Sequence, residues 1–278
     1  GLNGTGNVCI GYQAGNEIGN SSFNTYVGYQ AGFNSNLHQN NSFFGYQAGY
    51  GGNSGGANQG TCNTALGFKA GYILSSQSYC NTFIGNEAGK LAGTSRYTVS
   101  IGYQAGKVES GGGLNTFVGA FSGLNNTSGS CNTFVGFKSG NSNTTGIHNI
   151  FLGDKAGFSN TTGSCNTFIG DKAGYSNTID SGNTFVGFRA GYTGTRTFPQ
   201  NTFIGAYAGE LTSGIRNTFV GYLAGRTNTI GASNTFIGCN AGLFNTQGSK
   251  NTCIGDYEGR SNSMMQEILK ELYQEISL

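Results

Sequence analysis

Apolar and polar residues follow one another along this chain in a short unit that recurs from end to end. It is clearest at Asn166-Thr167-Phe168-Ile169-Gly170, and close copies stand at 81–85, 132–136, 183–187 and 234–238. Counted from its final glycine as position 0, the unit has Asn at −4, Thr at −3, Phe at −2, an aliphatic residue at −1, Ala at +3 and a second Gly at +4. Fifteen copies end at Gly11, Gly28, Gly45, Gly67, Gly85, Gly102, Gly119, Gly136, Gly153, Gly170, Gly187, Gly205, Gly221, Gly238 and Gly255. Ten of the fourteen intervals are 17 residues; the others are 22, 18, 18 and 16. A period this short and this sustained means a stacked array in which each unit packs on its neighbours.

Thr, Phe, Ile and Val favour extended backbone. Seventeen residues cannot hold a strand, a helix and two connections, but they fit two short strands and two turns. The expected fold is therefore all-β: a repetitive β-solenoid or β-roll of about fifteen 17-residue rungs over residues 1–260. Asn fills −4 in fourteen units, with Thr98 the exception; +4 is always Gly, and +3 is Ala except at Ser122, Ser139 and Glu258. The glycines suit corners or close backbone approach where a Cβ would clash. The Ala fits the same narrow interior, and the Asn rank can stack as an amide ladder that also bonds turn backbone.

The ranks at −2 and −1 raise a packing problem, because successive strand residues point to opposite faces. If the aliphatic rank faces inward, the Phe rank faces out; the reverse choice exposes the aliphatic rank instead. Ten Phe in one stripe exceed the few hundred Å² that a monomer usually exposes. The expectation is that Phe83, Phe117, Phe134, Phe151, Phe168, Phe185, Phe203, Phe219 and Phe236 form an interface with parallel copies of the chain. A bend that turns both ranks inward is the alternative. After Gly259 the pattern changes: Met265, Leu269, Leu272 and Ile276 have the 4-3-4 spacing of coiled-coil core positions. Two heptads alone are marginal, so residues 261–278 read as the start of a stalk shared with partner chains.

Composition narrows the picture. With 51 Gly in 278 residues, one Pro and 9% charged residues, the chain could pass for low complexity. Its glycines are locked to the repeat, however, and 13% of its residues are aromatic. A net charge of +2 gives no reason to expect nucleic acid, and no apolar run is long enough for a membrane-spanning helix. The chain lacks a starting Met and a signal peptide, so it reads as processed or as a fragment. Lys138, Lys155, Lys172 and Arg189 occupy +2 in consecutive units, beside Asp154 and Asp171. Repelling like charges must face water, as a solubilising surface or as a basic stripe for an acidic glycan. Tyr12-Gln13, Tyr29-Gln30 and Tyr46-Gln47 should stack as ladders; a Gly-rich insertion falls at 50–56, and Pro199 lies in a lengthened turn.

Reactive groups do not converge. Seven cysteines contain no Cys-x-x-Cys, and His38 and His148 are the only histidines, so neither a metal nor a cofactor is expected. Cys9 and Cys253 replace Phe at −2 and should be buried. Cys62, Cys80, Cys131 and Cys165 share position −5; Cys62 and Cys80, in consecutive units, are within disulfide reach, with reduced thiols the favoured reading. Catalysis needs unlike groups brought together, and this repeat aligns like with like, so no enzyme is expected.

The unit Asn-Thr-Phe-Ile/Val-Gly-x-x-Ala-Gly resembles the head repeats of trimeric autotransporter adhesins of the Yersinia adhesin type, roughly Asn-Ser-Val-Ala-Ile-Gly-x-x-Ala. It is also similar to Asn-Thr-Phe-Ile-Gly arrays in tail-fibre-like proteins of phages and Bacteroidetes. The resemblance spans about residues 7–259. It departs in a longer unit, in Phe where adhesin heads carry smaller residues, and in the lack of a membrane anchor. The resemblance implies a parallel homotrimer of β-rolls with a coiled-coil stalk, extracellular on a cell surface or virion, attaching to a glycan or protein receptor. The alternative is an ice- or glycan-binding solenoid using its Thr or Lys ranks, although Val8, Val99 and Ile150 interrupt the Thr rank.

Overall fold

The computed structural model describes residues 4–36, 38–51, 60–75, 77–193 and 199–259. The chain divides into two compact units, Gly1–Leu152 with Asn160–Thr162, and Gly153–Ser159 with Gly163–Leu278. The first carries β1 (Val8–Ile10), β2 (Thr25–Val27), β3 (Ser42–Phe44), β4 (Thr64–Leu66), β5 (Thr82–Ile84), β6 (Val99–Ile101), β7 (Thr116–Val118), β8 (Thr133–Val135) and β9 (Ile150–Leu152). The second carries β10 (Thr167–Ile169), β11 (Thr184–Val186), β12 (Thr202–Ile204), β13 (Thr218–Val220), β14 (Thr235–Ile237) and β15 (Thr252–Ile254). Each unit is a parallel β-solenoid in which every strand pairs with the next at the same repeat position, for example Phe117 with Phe134 and Phe203 with Phe219. No helix occurs among the described residues. The expected stalk, with Met265, Leu269, Leu272 and Ile276, lies outside them, as does most of the Gly-rich insertion.

Each rung holds one three-residue strand where two short strands were expected. In the first unit a second line of contact is reduced to single bridges, such as Ser22 with Gln39 and Thr61 with Tyr79. The cause is local. Positions −5 and +2 sit in the left-handed region, as at Cys131 (φ 58°) and Lys138 (φ 55°), and each ends the extended run.

The direction of the strand side chains corrects the expected interface. Phe83, Phe117, Phe134, Phe151, Phe168, Phe185, Phe203, Phe219 and Phe236 all lie inside their own coil, none more than 3% exposed. Within each unit they form face-to-face columns; Phe134 and Phe151 are 4.7 Å apart and Phe219 and Phe236 4.9 Å. They are therefore no surface for a partner chain. The aliphatic rank points outward instead: Leu66 is 48% exposed, Ile204 40% and Ile254 66%.

The glycines explain the choice. A Cβ on Gly174, at +4, would stand 2.5 Å from the ring of Phe168 in its own rung. A Cβ on Gly187, at position 0, would stand 2.5 Å from the carbonyl oxygen of Gly205 in the next. One glycine rank thus makes room for the aromatic column, and the other lets rung backbones touch. The Ala rank at +3 closes the lumen; Ala31, Ala105, Ala173 and Ala224 are fully buried. Cys9 and Cys253 occupy the same column but belong to β1 and β15, at the ends of the described stack, and there Cys9 is exposed and Cys253 half-buried.

The Asn rank forms the anticipated ladder. The backbone N–H of Asn132 donates to Asn115 Oδ1 (2.9 Å), Asn149 N–H donates to Asn132 Oδ1 (3.0 Å), and Asn132 Nδ2 donates to the Gly146 carbonyl (2.8 Å). The Asn132 amide thus satisfies buried backbone in its own rung and in the next.

Candidate functional site: the outer face of the sheet

With −2 committed to the lumen, positions −3 and −1 share the outer face of every strand. In the second unit the −3 column is Thr throughout: Thr167, Thr184, Thr202, Thr218, Thr235 and Thr252. The −1 column is Ile169, Val186, Ile204, Val220, Ile237 and Ile254. Rungs repeat every ~4.8 Å and the two columns stand ~7 Å apart, so the face is a regular grid of hydroxyls and branched aliphatic groups. No strand of either unit contains a charged residue. In the first unit the −1 column continues as Ile10, Val27, Phe44, Leu66, Ile84, Ile101, Val118, Val135 and Leu152, while Val8, Ser42, Val99 and Ile150 replace Thr at −3.

The basic rank at +2 is not an uncompensated stripe. Lys138 Nζ lies 5.2 Å from the Phe137 ring centre and 5.6 Å from that of Phe121. Lys155 pairs with Asp154 (3.4 Å) and Lys172 with Asp171 (3.5 Å). Arg189 reaches Glu210 (3.0 Å) while stacking on Tyr192 (4.1 Å), and Arg226 binds the other Glu210 oxygen (2.7 Å). The part-exposed Lys–Asp pairs add little stability, but each Asp offsets the charge of the Lys beside it. Sequence reasoning placed Arg189 but missed Glu210, whose signal was a carboxylate between two arginines, Arg189 and Arg226, in three consecutive rungs. The Tyr12–Tyr29–Tyr46 column stacks at 5.2 and 5.0 Å, and the Gln13–Gln30–Gln47 amides bond at 2.8 Å.

A shallow cleft of about 400 Å³ in the first unit is lined by Gln77, Thr94, Arg96, Tyr97, Leu114 and Ser130, among others. Arg96 is held by two hydrogen bonds to Gln77 (3.2 and 2.6 Å) and lies over the Tyr79 ring (4.8 Å). The cleft could accept a small anion; its lining supplies no carboxylate or imidazole for acid–base chemistry.

Three departures from the repeat fall in one rung of the first unit. Thr98 replaces Asn at −4, Ser100 replaces Phe at −2, and Glu109 stands at +7. The rungs that follow carry Asn at +7, as Asn126, Asn143 and Asn160, forming a second amide ladder that went unread in the sequence: Asn143 Nδ2 donates to Asn126 Oδ1 (2.7 Å) and Asn160 Nδ2 to Asn143 Oδ1 (2.8 Å). Glu109 Oε1 accepts from Thr98 Oγ1 (3.2 Å) and Asn115 Nδ2 (2.6 Å), reconnecting the −4 ladder across the missing amide. Its Oε2 is buried without a hydrogen-bond partner. Burial pushes the carboxyl up to about 7 against the hydrogen bonds from Asn115 and Thr98.

The folded state thus holds this proton more tightly than the unfolded chain does. The stabilisation is complete below the ordinary value of 4.5 and is lost as pH rises through about 7. A shift of this size corresponds to roughly 3 kcal/mol. Glu109→Gln should remove that pH dependence and be more stable than the parent at pH 8, while the two differ little at pH 4. Urea titrations at both values measure it; parallel curves for parent and variant would contradict it.

Among the described residues no group of three or more His, Cys, Asp or Glu could hold a metal ion, and no helix is long and apolar enough to cross a membrane. No family model, curated protein or solved structure matches the chain.

Proposed function

We propose that this chain is a structural segment of an extracellular, parallel homo-oligomeric fibre, three copies side by side, serving attachment at a cell surface or virion. One observation carries the reading: a solenoid has a single lumen, and filling it with Phe leaves a second apolar rank, at −1, on an uncharged outer face. Copies in parallel register present that face to one another at matching rungs. The interface is thus Ile204, Ile237 and their column, in place of the Phe rank. The coiled-coil spacing of Met265, Leu269, Leu272 and Ile276 supports the same parallel association. The trimer number and the role in attachment rest on the resemblance to adhesin heads and tail fibres.

The double variant Ile204→Asp/Ile237→Asp places two carboxylates in the proposed interface, where an unpaired buried charge costs several kcal/mol. Sedimentation velocity should show a smaller species with an unchanged β-type circular dichroism spectrum. An unchanged mass would remove these columns from the interface.

A second reading is favoured by one feature, the uninterrupted Thr grid of the second unit, with all Thr replacements confined to the first. Such a grid left open to water would suit an ice surface. Thermal hysteresis by a monomeric fraction would support that reading; its absence would discard it.

A further inference from the structure

We propose that Cys62 and Cys80 are a redox-labile pair that closes into a disulfide between consecutive rungs of the first unit. The two thiols occupy position −5 of neighbouring units, directly before the Asn ladder. Their backbones match, each in the left-handed region at φ 56°. The bridge between Thr61 and Tyr79 and the hydrogen bond from Cys80 N–H to the Thr61 carbonyl (3.0 Å) fix the register. Both residues are exposed and free. Desolvation and then the adjacent Cys62 push the Cys80 thiol up.

Neighbouring rungs ~4.8 Å apart lie inside the Cα separation that a disulfide spans. Side chains in register stand that far apart at Cβ as well, whereas an unstrained disulfide needs ~3.8 Å. The rungs must close slightly, and a strained, exposed disulfide is easily reduced. The location gives the bond a purpose. It joins the rung of β4, where Ala65 interrupts the phenylalanine column after the longest interval in the chain, 22 residues, to the rung of β5, where Phe83 resumes it. Cys131 and Cys165, at the same position two periods apart in sequence, lack a cysteine neighbour in the intervening unit, where His148 stands.

The oxidant is a small-molecule disulfide such as oxidised glutathione. One cysteine thiolate attacks a glutathione sulfur, forming a mixed disulfide and releasing one glutathione thiolate. The second cysteine then attacks the protein sulfur of that mixed disulfide and releases the other. Two protein S–H bonds are lost, one S–S bond forms, and the oxidant leaves as two molecules of glutathione.

The test equilibrates the full chain in glutathione buffers from fully reduced to fully oxidised, quenches with an alkylating agent, and reads intact mass and peptide maps. The expected result is a species carrying two fewer alkyl groups than the reduced chain, with the missing groups mapped to a linked Cys62–Cys80 peptide, appearing at the oxidising end and reversed by dithiothreitol. Cys62→Ser and Cys80→Ser should each abolish it and leave a persistent glutathione adduct on the remaining partner. The proposal is overturned if both thiols stay alkylatable at every ratio, if mixed disulfides accumulate on the parent chain without closing, or if oxidation links other cysteines or separate chains instead.

Discussion

Phe134→Ala should destabilise the first unit by about 3–5 kcal/mol. The ring is fully buried and stacks on Phe117 at 5.3 Å and on Phe151 at 4.7 Å. Its removal forfeits transfer free energy and leaves a void that touching rung backbones cannot collapse into. The chain shows what a rung without Phe requires. Beside Ala65, Leu74 at +7 is buried, and its Cδ1 lies 3.4 Å from where a Gly71 Cβ would be. In the rung of β8 the +7 residue is Asn143, tied into the second amide ladder, so no side chain is available to fill the space. Urea denaturation of parent and variant measures the loss. A cost under about 1 kcal/mol is what an exposed position would give, and it would place the ring outside the coil.

Gly187→Ala is the second large effect, about 3–5 kcal/mol or failure to fold, from backbone strain and overpacking together. Gly187 has φ 135°, a conformation that side-chain-bearing residues rarely adopt, and its added methyl would meet the Gly205 carbonyl carbon at 2.6 Å as well as the oxygen. Relief would require separating two rungs. Gly182→Ala is the control: its φ is also positive, at 73°, but the nearest atom to the new methyl is Gln200 Cγ at 3.8 Å. Only the conformational cost remains there, about 1–2 kcal/mol. Thermal melts of the two variants separate contact between rungs from backbone preference; equal losses would deny the close approach.

The repeat made much of the architecture legible. A fixed interval with one Asn and two Gly ranks implies parallel rungs in register, and both the ladders and the glycine contacts take that form. What alternation does not carry is its sign, because a period of two says only that −2 and −1 face opposite ways. The sign lay in the unit itself. An aromatic ring at −2 needs the volume that a Cβ at +4 would fill, and +4 is Gly in every rung, whereas the aliphatic residue at −1 makes no such demand. Weighing the size of the exposed patch ahead of the volume of the lumen placed the Phe rank on the wrong side. The site at Glu109 was harder to read, because Thr98, Ser100 and Glu109 each look like ordinary drift in a repeat. Only the fold shows that Thr98 and Glu109 meet, and that the carboxylate replaces the bond the missing Asn would have made.

The central claim is that the lumen holds one apolar rank and copies of the chain cover the other. The molar mass of the chain in solution, by sedimentation equilibrium or light scattering at micromolar concentration, tests it most directly. The expected value is three times the chain mass of 28.9 kDa. A stable, folded species at the mass of a single chain, with the Ile204 and Ile237 column left open to water, would contradict it.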